Sequence, residues 1–192
     1  EYAALSLAKT KSINELQAWA GEKKIWLSWK LDGLTLVLTY DNGILSKILT
    51  RGNGEIGTNI TYMKDVIEGF PNKIEYRGHL VVRGEAIILY SDFEKVNESS
   101  DDGNGKFANP RNLASGTLAL DPSNINIVRE RNLKFLAFSL VHVDEKIVSW
   151  GERMKFLDDL GFATVERITT NAEGLGEIID SWSQRVELGT ID

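Results

Sequence analysis

The chain has 192 residues, 42% hydrophobic and 26% charged, with a net charge of −6. That length suits one domain with a substantial core, or one large lobe of a bigger protein. There is no cysteine, which excludes disulfides and cysteine-ligated zinc and fits the cytosol. No apolar run is long enough to span a bilayer, and no signal peptide opens the chain. The first residue is Glu1, as expected of a chain that begins inside a longer protein. The acidic balance is a poor footprint for a stand-alone DNA clamp.

Ser12 followed by Glu15 predicts a capping box that opens a helix through Trp19, closed by Gly21. Residues 25–29 read as a strand, Lys30-Leu31-Asp32-Gly33 as a turn, and 34–40 as a second strand. Asp41-Asn42-Gly43 is a hairpin signal, with 44–50 as the returning strand. Strands meandering this closely predict antiparallel sheet. Residues 60–67 fit a helix or an extended arm, ended by Pro71. Residues 79–85 form a further strand, and Ser91-Asp92-Phe93-Glu94 a second capping box with a helix through Asn97. The Asp/Gly/Ser-rich residues 99–106 predict a mobile surface loop. Pro110 suits the first turn of a helix to Leu118. A strand over 133–143, an amphipathic helix over 150–160 capped at Gly161, a strand over 162–167 and a helix over 172–186 complete an α+β chain. No repeat, linker or low-complexity tract interrupts it.

Several segments bear chemistry. Lys30 lies between two apolar runs, 25–27 and 34–38, and a lysine enclosed by buried strands is costly unless used. Desolvation and nearby cations lower an amine's pKa and free its lone pair for attack. From an ordinary value of ~10.4, each tenfold shift toward the neutral form costs about 1.4 kcal/mol. The alternative is a strand-end lysine that snorkels to water beside a tight turn. Arg51 opens Gly52-Asn53-Gly54, where glycines let backbone N–H groups approach a ligand's oxygens; a bulged turn with a solvated arginine is the alternative. Glu85 ends the strand Leu80-Val81-Val82-Arg83-Gly84. It could accept both hydroxyls of a ribose, or pair with Arg83 or Lys30. Asn109 and Arg111 flank Pro110 at a helix start, a place that attracts phosphate; simple capping by Asn109 is the alternative. Phe138 could stack on a base, worth roughly 1–3 kcal/mol, or fill the core. Arg131 could meet a phosphate or a neighbouring carboxylate. His79 and His142 stand too far apart in sequence to read as a metal pair, and the tryptophans read as core and helix-face residues.

Taken together, the order of Lys30-Leu31-Asp32-Gly33, Thr50–Gly57, Val81–Glu85 and Phe107–Gly116 resembles the adenylation domain of bacterial NAD-dependent DNA ligases, over about residues 5–192. The resemblance implies a nucleotidyltransferase (ATP-grasp-like) adenylation domain with antiparallel sheets flanked by helices. It implies that Lys30 attacks NAD to form a lysine–AMP adduct, with Asp32 orienting or deprotonating it. AMP then passes to the 5′-phosphate of nicked DNA, with Mg²⁺ as cofactor. Ser6, Leu7, Ser28, Leu31, Gly33, Arg51, Glu85 and Phe138 fall on nucleotide-binding positions, and Asn109 and Arg111 on phosphate or nick positions. The implied protein is a cytoplasmic monomer of replication and repair. It reaches nicked duplex through a full-length chain with nicotinamide-binding, OB, zinc, helix-hairpin-helix and BRCT modules. Ile191-Asp192 matches the opening of the family's next motif, so the domain is expected to be truncated there.

Three departures stand out. Ser28 replaces a Glu expected to meet the adenine amino group. Asn53 replaces Asp, with Thr58-Asn59 in place of Glu-Asp. Ala119 replaces a second arginine eight positions after Arg111. They keep a degenerate, non-catalytic nucleotide-binding module in view. An ATP-dependent polynucleotide ligase or a capping-type nucleotidyltransferase shares the lysine tetrapeptide, and Phe107–Gly116 argues against both.

Overall fold

The structure, a computed structural model, describes residues 9–52, 57–99 and 106–187. The chain divides into two compact units. The larger, Leu31–Val165, is built on a four-stranded antiparallel sheet in the order β3-β2-β4-β5. These strands are β2 (Leu34–Asp41), β3 (Ile44–Thr50), β4 (His79–Ile87) and β5 (Lys134–Val143), and β1 belongs to the other unit. Asn42 and Gly43 both have positive φ, 50° and 79°, which matches the hairpin's turn to the strand twist. Alternate residues bury Leu36, Leu38 and Tyr40 from β2, and Leu80, Val82 and Ala86 from β4. Phe135 and Ala137 of β5 join them. Gly84 sits in this row because a Cβ there would lie 2.3 Å from the Phe135 ring. Around the sheet run α2 (Tyr90–Ser99), α3 (Pro110–Leu118), α4 (Ile125–Glu130) and α5 (Trp150–Asp159). α3 buries Leu113, Ala114 and Leu118, and α5 buries Met154 and Leu157.

The smaller unit comprises the described residues of Leu5–Lys30 and Glu166–Asp192. It pairs β1 (Ile25–Ser28) with β6 (Arg167–Thr170), antiparallel, from Ile25↔Thr170 to Ser28↔Arg167. Helices α1 (Ile13–Ala20) and α6 (Leu175–Glu187) complete it. Ala20, Ile25 and Leu175 are its buried core, with Leu16, Leu27, Ala172 and Ile179 packed around them. At about 1.5–3 kcal/mol for each fully buried large aliphatic side chain, this is a small core.

Most predicted elements are present, with five corrections. Residues 60–67 are neither helix nor extended arm, but a single 3-10 turn over Thr61–Met63. Helix α2 starts at Tyr90, where the Leu89 carbonyl accepts from Asp92 and Phe93 N–H, so Ser91 lies inside the helix rather than capping it. The strand expected over 162–167 is displaced: Thr164 makes one isolated bridge to Ala137, and β6 begins at Arg167. At the first capping box, Ser12 accepts from Glu15 N–H as expected, but the Glu15 carboxylate turns to the Thr10 hydroxyl. No tryptophan is buried: Trp19 is 67% exposed and Trp26 41%, while Trp29, Trp150 and Trp182 are half-buried. The loop expected over 99–106 falls almost wholly outside the described residues. Among the described residues no helix is long and apolar enough to cross a membrane.

Candidate functional site

Lys30 is exposed and ends the first segment of the smaller unit. The expectation of a lysine enclosed by two buried strands is therefore corrected. β1 and β2 belong to different sheets, and the backbone leaves β1 at Ser28. The turn after Lys30 is tightly held. Leu31 is half-buried and Asp32 exposed. The buried Gly33 donates its N–H to Glu85 Oε1 at 3.2 Å. A Cβ on Gly33 would lie 2.0 Å from the Ala86 carbonyl oxygen, so only glycine fits. The Thr35 hydroxyl donates to Glu85 Oε2 at 3.0 Å. Glu85 is thus buried with both oxygens engaged, and pins this turn.

The face of the sheet that carries Glu85 sets Thr35 and Arg83 among apolar neighbours such as Val37 and Leu136. Thr35 stands opposite Glu85, and Val37 opposite Arg83. Arg51 donates its backbone N–H to the Thr35 carbonyl at 3.0 Å, which brings its strand end to the same row. Burial, and then the charge of Arg51, pull the Arg83 guanidinium below its ordinary value. Phe138 is the extra residue of a β-bulge, between Arg83↔Ser139 and Gly84↔Ala137. It is half-buried, and its carbonyl accepts from the Trp150 indole N–H at 3.0 Å. Bulges re-aim side chains, and no alternation argument reveals one.

At the start of α3, Asn109 caps the helix by accepting from Asn112 N–H at 2.8 Å. Arg111 pairs with Asp32, Nη1 to Oδ1 at 2.7 Å, with both side chains at least half exposed. Such a pair contributes at most about 1 kcal/mol, but it ties the turn after Lys30 to the helix start. Among the described residues Arg131 meets no carboxylate. It donates to the Thr117 hydroxyl at 3.0 Å and lies 5.2 Å from the Phe107 ring centroid, and burial lowers its pKa. Ala119 takes the helix C-cap. Ser28 is exposed, opposite Arg167. Thr50 and Thr58 close the glycine loop by mutual bonds of 3.0 Å. Ser6, Leu7, Asn53 and Ile191-Asp192 lie outside the described residues.

A family model of the NAD-dependent DNA ligase adenylation domain matches residues 3–188. The chain belongs to this family. It is similar to the DNA ligase of Lachnoclostridium phytofermentans, 44% identical over 188 residues, covering 97% of this chain and 28% of the relative. It is likewise similar to the DNA ligase of Ruminiclostridium cellulolyticum, 44% identical over 185 residues, covering 95% of this chain and 28% of the relative. The Campylobacter lari DNA ligase is 40% identical over 179 residues, covering 90% of this chain and 27% of the relative. The chain thus spans about 28% of the length of the curated relatives it matches.

Two features of this adenylation-family chain went unread in its sequence. Thr35 gives no signal in an alternating strand, because its value lies in facing Glu85 across the β2–β4 pair. Arg83 did give one: a charge amid Leu80-Val81-Val82 is out of place unless its face is functional. The two histidines, distant in sequence, have ring centroids 5.3 Å apart. His79 Nδ1 meets Asp41 at 2.6 Å, and His142 Nε2 meets Asp144 at 3.1 Å. Even so, among the described residues no group of three His, Cys, Asp or Glu side chains could hold a metal ion.

Proposed function

We propose that this chain is the nucleotidyltransferase part of an NAD-dependent DNA ligase, and that Lys30 is its nucleophile. The observation that carries this reading is the family match, which spans the Lys30 tetrapeptide and every other proposed site residue. The names of the relatives, each a DNA ligase, support it. So does the way Glu85 and Thr35 immobilise the backbone just after Lys30.

In the proposed step, the deprotonated Lys30 Nζ attacks the adenylyl phosphorus of NAD. A phosphorus–nitrogen bond forms as the phosphorus–oxygen bond to nicotinamide mononucleotide breaks, and the amine's proton is lost. Asp32 orients or deprotonates Lys30, with Arg111 as its ionic neighbour. Glu85 takes the ribose hydroxyls, and Phe138 stacks on the adenine. Ser6, Leu7, Ser28, Leu31 and Gly33 line the nucleotide. Arg51 and Arg83 draw its phosphates, since fixed cations are worth most where negative charge develops. Mg²⁺ would offset phosphate charge from substrate oxygens and water rather than from a protein cage. AMP passes from Lys30 to a DNA 5′-phosphate, near which Asn109 and Arg111 act, and the nick's 3′-hydroxyl then displaces it.

The test is intact mass of the complete gene product after incubation with labelled NAD or labelled ATP. A gain of one AMP from NAD alone, lost in Lys30→Ala, is expected. A gain from ATP points to the ATP-dependent class, and no gain points to a non-catalytic module. An adduct that persists in Lys30→Ala moves the nucleophile elsewhere.

A further inference from the structure

Trp29 stands between the last residue of β1 and Lys30. The backbone register of β1 with β6 ends at Ser28↔Arg167. Trp29 and Glu166 are the next residues on each strand, and there side chains take over from the ladder. The Trp29 indole N–H donates to Glu166 Oε2 at 2.8 Å. Arg185 grips the same carboxylate through both ends of its fork, Nη1 to Oε1 at 2.7 Å and Nη2 to Oε2 at 3.0 Å. Its guanidinium also lies 5.7 Å from the Trp29 ring centroid. Trp182 stacks on Trp29, with centroids 4.5 Å apart and planes inclined by 18°. Residues 182 and 185 are three apart on α6, so they share one helix face. Four side chains from the ends of two strands and one helix therefore form a closed circuit around Trp29. The carboxylate at its centre is held below the usual range, first by Arg185 and then by the Trp29 indole.

From this circuit we infer that Trp29, Trp182, Glu166 and Arg185 are positioning residues for Lys30, an inference that rests on the reading of Lys30 as nucleophile. An exposed lysine carries about 2 kcal/mol of rotamer entropy on a flexible stem. Its reach is therefore defined only if its Cα is held still. A misplacement of about 1 Å can cost on the order of a hundredfold in rate. The small core of this unit leaves the end of β1 without deep packing beyond Leu27. A stacked indole with a charge-assisted acceptor is a stiff anchor at that point.

The test uses the complete gene product under single-turnover conditions. The readouts are the maximal rate of lysine–AMP formation, the NAD half-saturation, and hydrogen exchange of the Trp29, Lys30 and Leu31 amides. Trp182→Ala is expected to lower the maximal rate about tenfold or more, to leave half-saturation unchanged, and to speed amide exchange at residues 29–31. Trp182→Phe keeps a stacking face and should restore most of the rate. Glu166→Gln keeps the shape and an acceptor for the indole while losing the charged fork; it should give an intermediate loss, and serves if Trp182→Ala does not fold. Wild-type rate and exchange in Trp182→Ala and Glu166→Gln would overturn the inference, as would a raised half-saturation at unchanged maximal rate. If Lys30→Ala abolishes the adduct while these variants behave as wild type, only this inference falls. If the adduct survives Lys30→Ala, the parent reading falls and this one with it.

Discussion

Gly33 shows how little freedom single residues near Lys30 have. Its N–H is a donor that holds Glu85, and its missing side chain is what lets β2 begin against the Ala86 carbonyl. Gly33→Ala places a methyl group 2.0 Å from that backbone oxygen, and a backbone atom cannot rotate aside. We expect a loss of about 1–3 kcal/mol in urea unfolding, with lysine–AMP formation reduced further, because the turn must move to admit the methyl. Unchanged stability would mean that Glu85 does not pin this turn. Lys30, Arg51, Glu85 and Arg111 could all be picked out in the sequence, because charged residues at strand ends and helix starts are conspicuous. The partners of Glu85 and Arg111 could not, because cross-strand neighbours and the Asp32–Arg111 pair are long-range facts.

Among the elements, exposed carboxylates at helix and strand ends set the pH response. Glu152 closes the capping box of α5 with Ser149, and bonds from the Ser149 hydroxyl and then its backbone N–H lower the Glu152 pKa. Ser46 and then His79 lower Asp41. The His79 backbone N–H and then His142 lower Asp144, and Glu166 is lowered by Arg185 and then Trp29. Each group binds a proton more readily in the unfolded chain than in the folded one. Stability therefore rises with pH across this window. It is fully present above the unfolded values near 4 and is lost as pH falls through the lower folded values. Thermal midpoints followed from about pH 7 down to about pH 3 should drop, and Glu152→Gln and Glu166→Gln should each flatten the curve. Since all four are exposed, each change will be small, and a flat wild-type profile would contradict the assignment. Helix α5 was legible because its apolar spacing is local, whereas its Ser149–Glu152 box was not anticipated and is added by the structure. The start of α2 was misread because a backbone carbonyl, Leu89, supplies the cap expected of Ser91.

For the whole molecule, the net charge of −6 opposes close approach to a polyanion. Arg51 and Arg83 concentrate positive charge on one face of the larger unit, against an acidic total. The chain alone should therefore bind nicked duplex no more tightly than typical non-specific binding, with a Kd of about 10⁻⁴–10⁻⁶ M at physiological salt. The slope of log affinity against log salt should reflect only a few phosphate contacts, read by fluorescence anisotropy. Nanomolar affinity at physiological salt would show that the other modules expected of the family are unnecessary for holding DNA. The chain passes between its two units at Lys30–Leu31 and again at Val165–Glu166, and no composition shift marks either crossing. A unit assembled from distant segments leaves no linker to read: Trp29 and Glu166 meet across 137 residues.

The sequence alone determined most of the secondary elements, the antiparallel hairpin at Asn42-Gly43, the ordered series of reactive segments and, through that series, the family. Each depends on neighbours a few residues away or on residue identity. Tertiary structure decided which residues hold which: Thr35 and Gly33 on Glu85, Arg111 on Asp32, the bulge that carries Phe138, and the indole circuit beside Lys30. Those pairings come from strand register and helix packing between remote segments, and periodicity along a single chain carries no record of them.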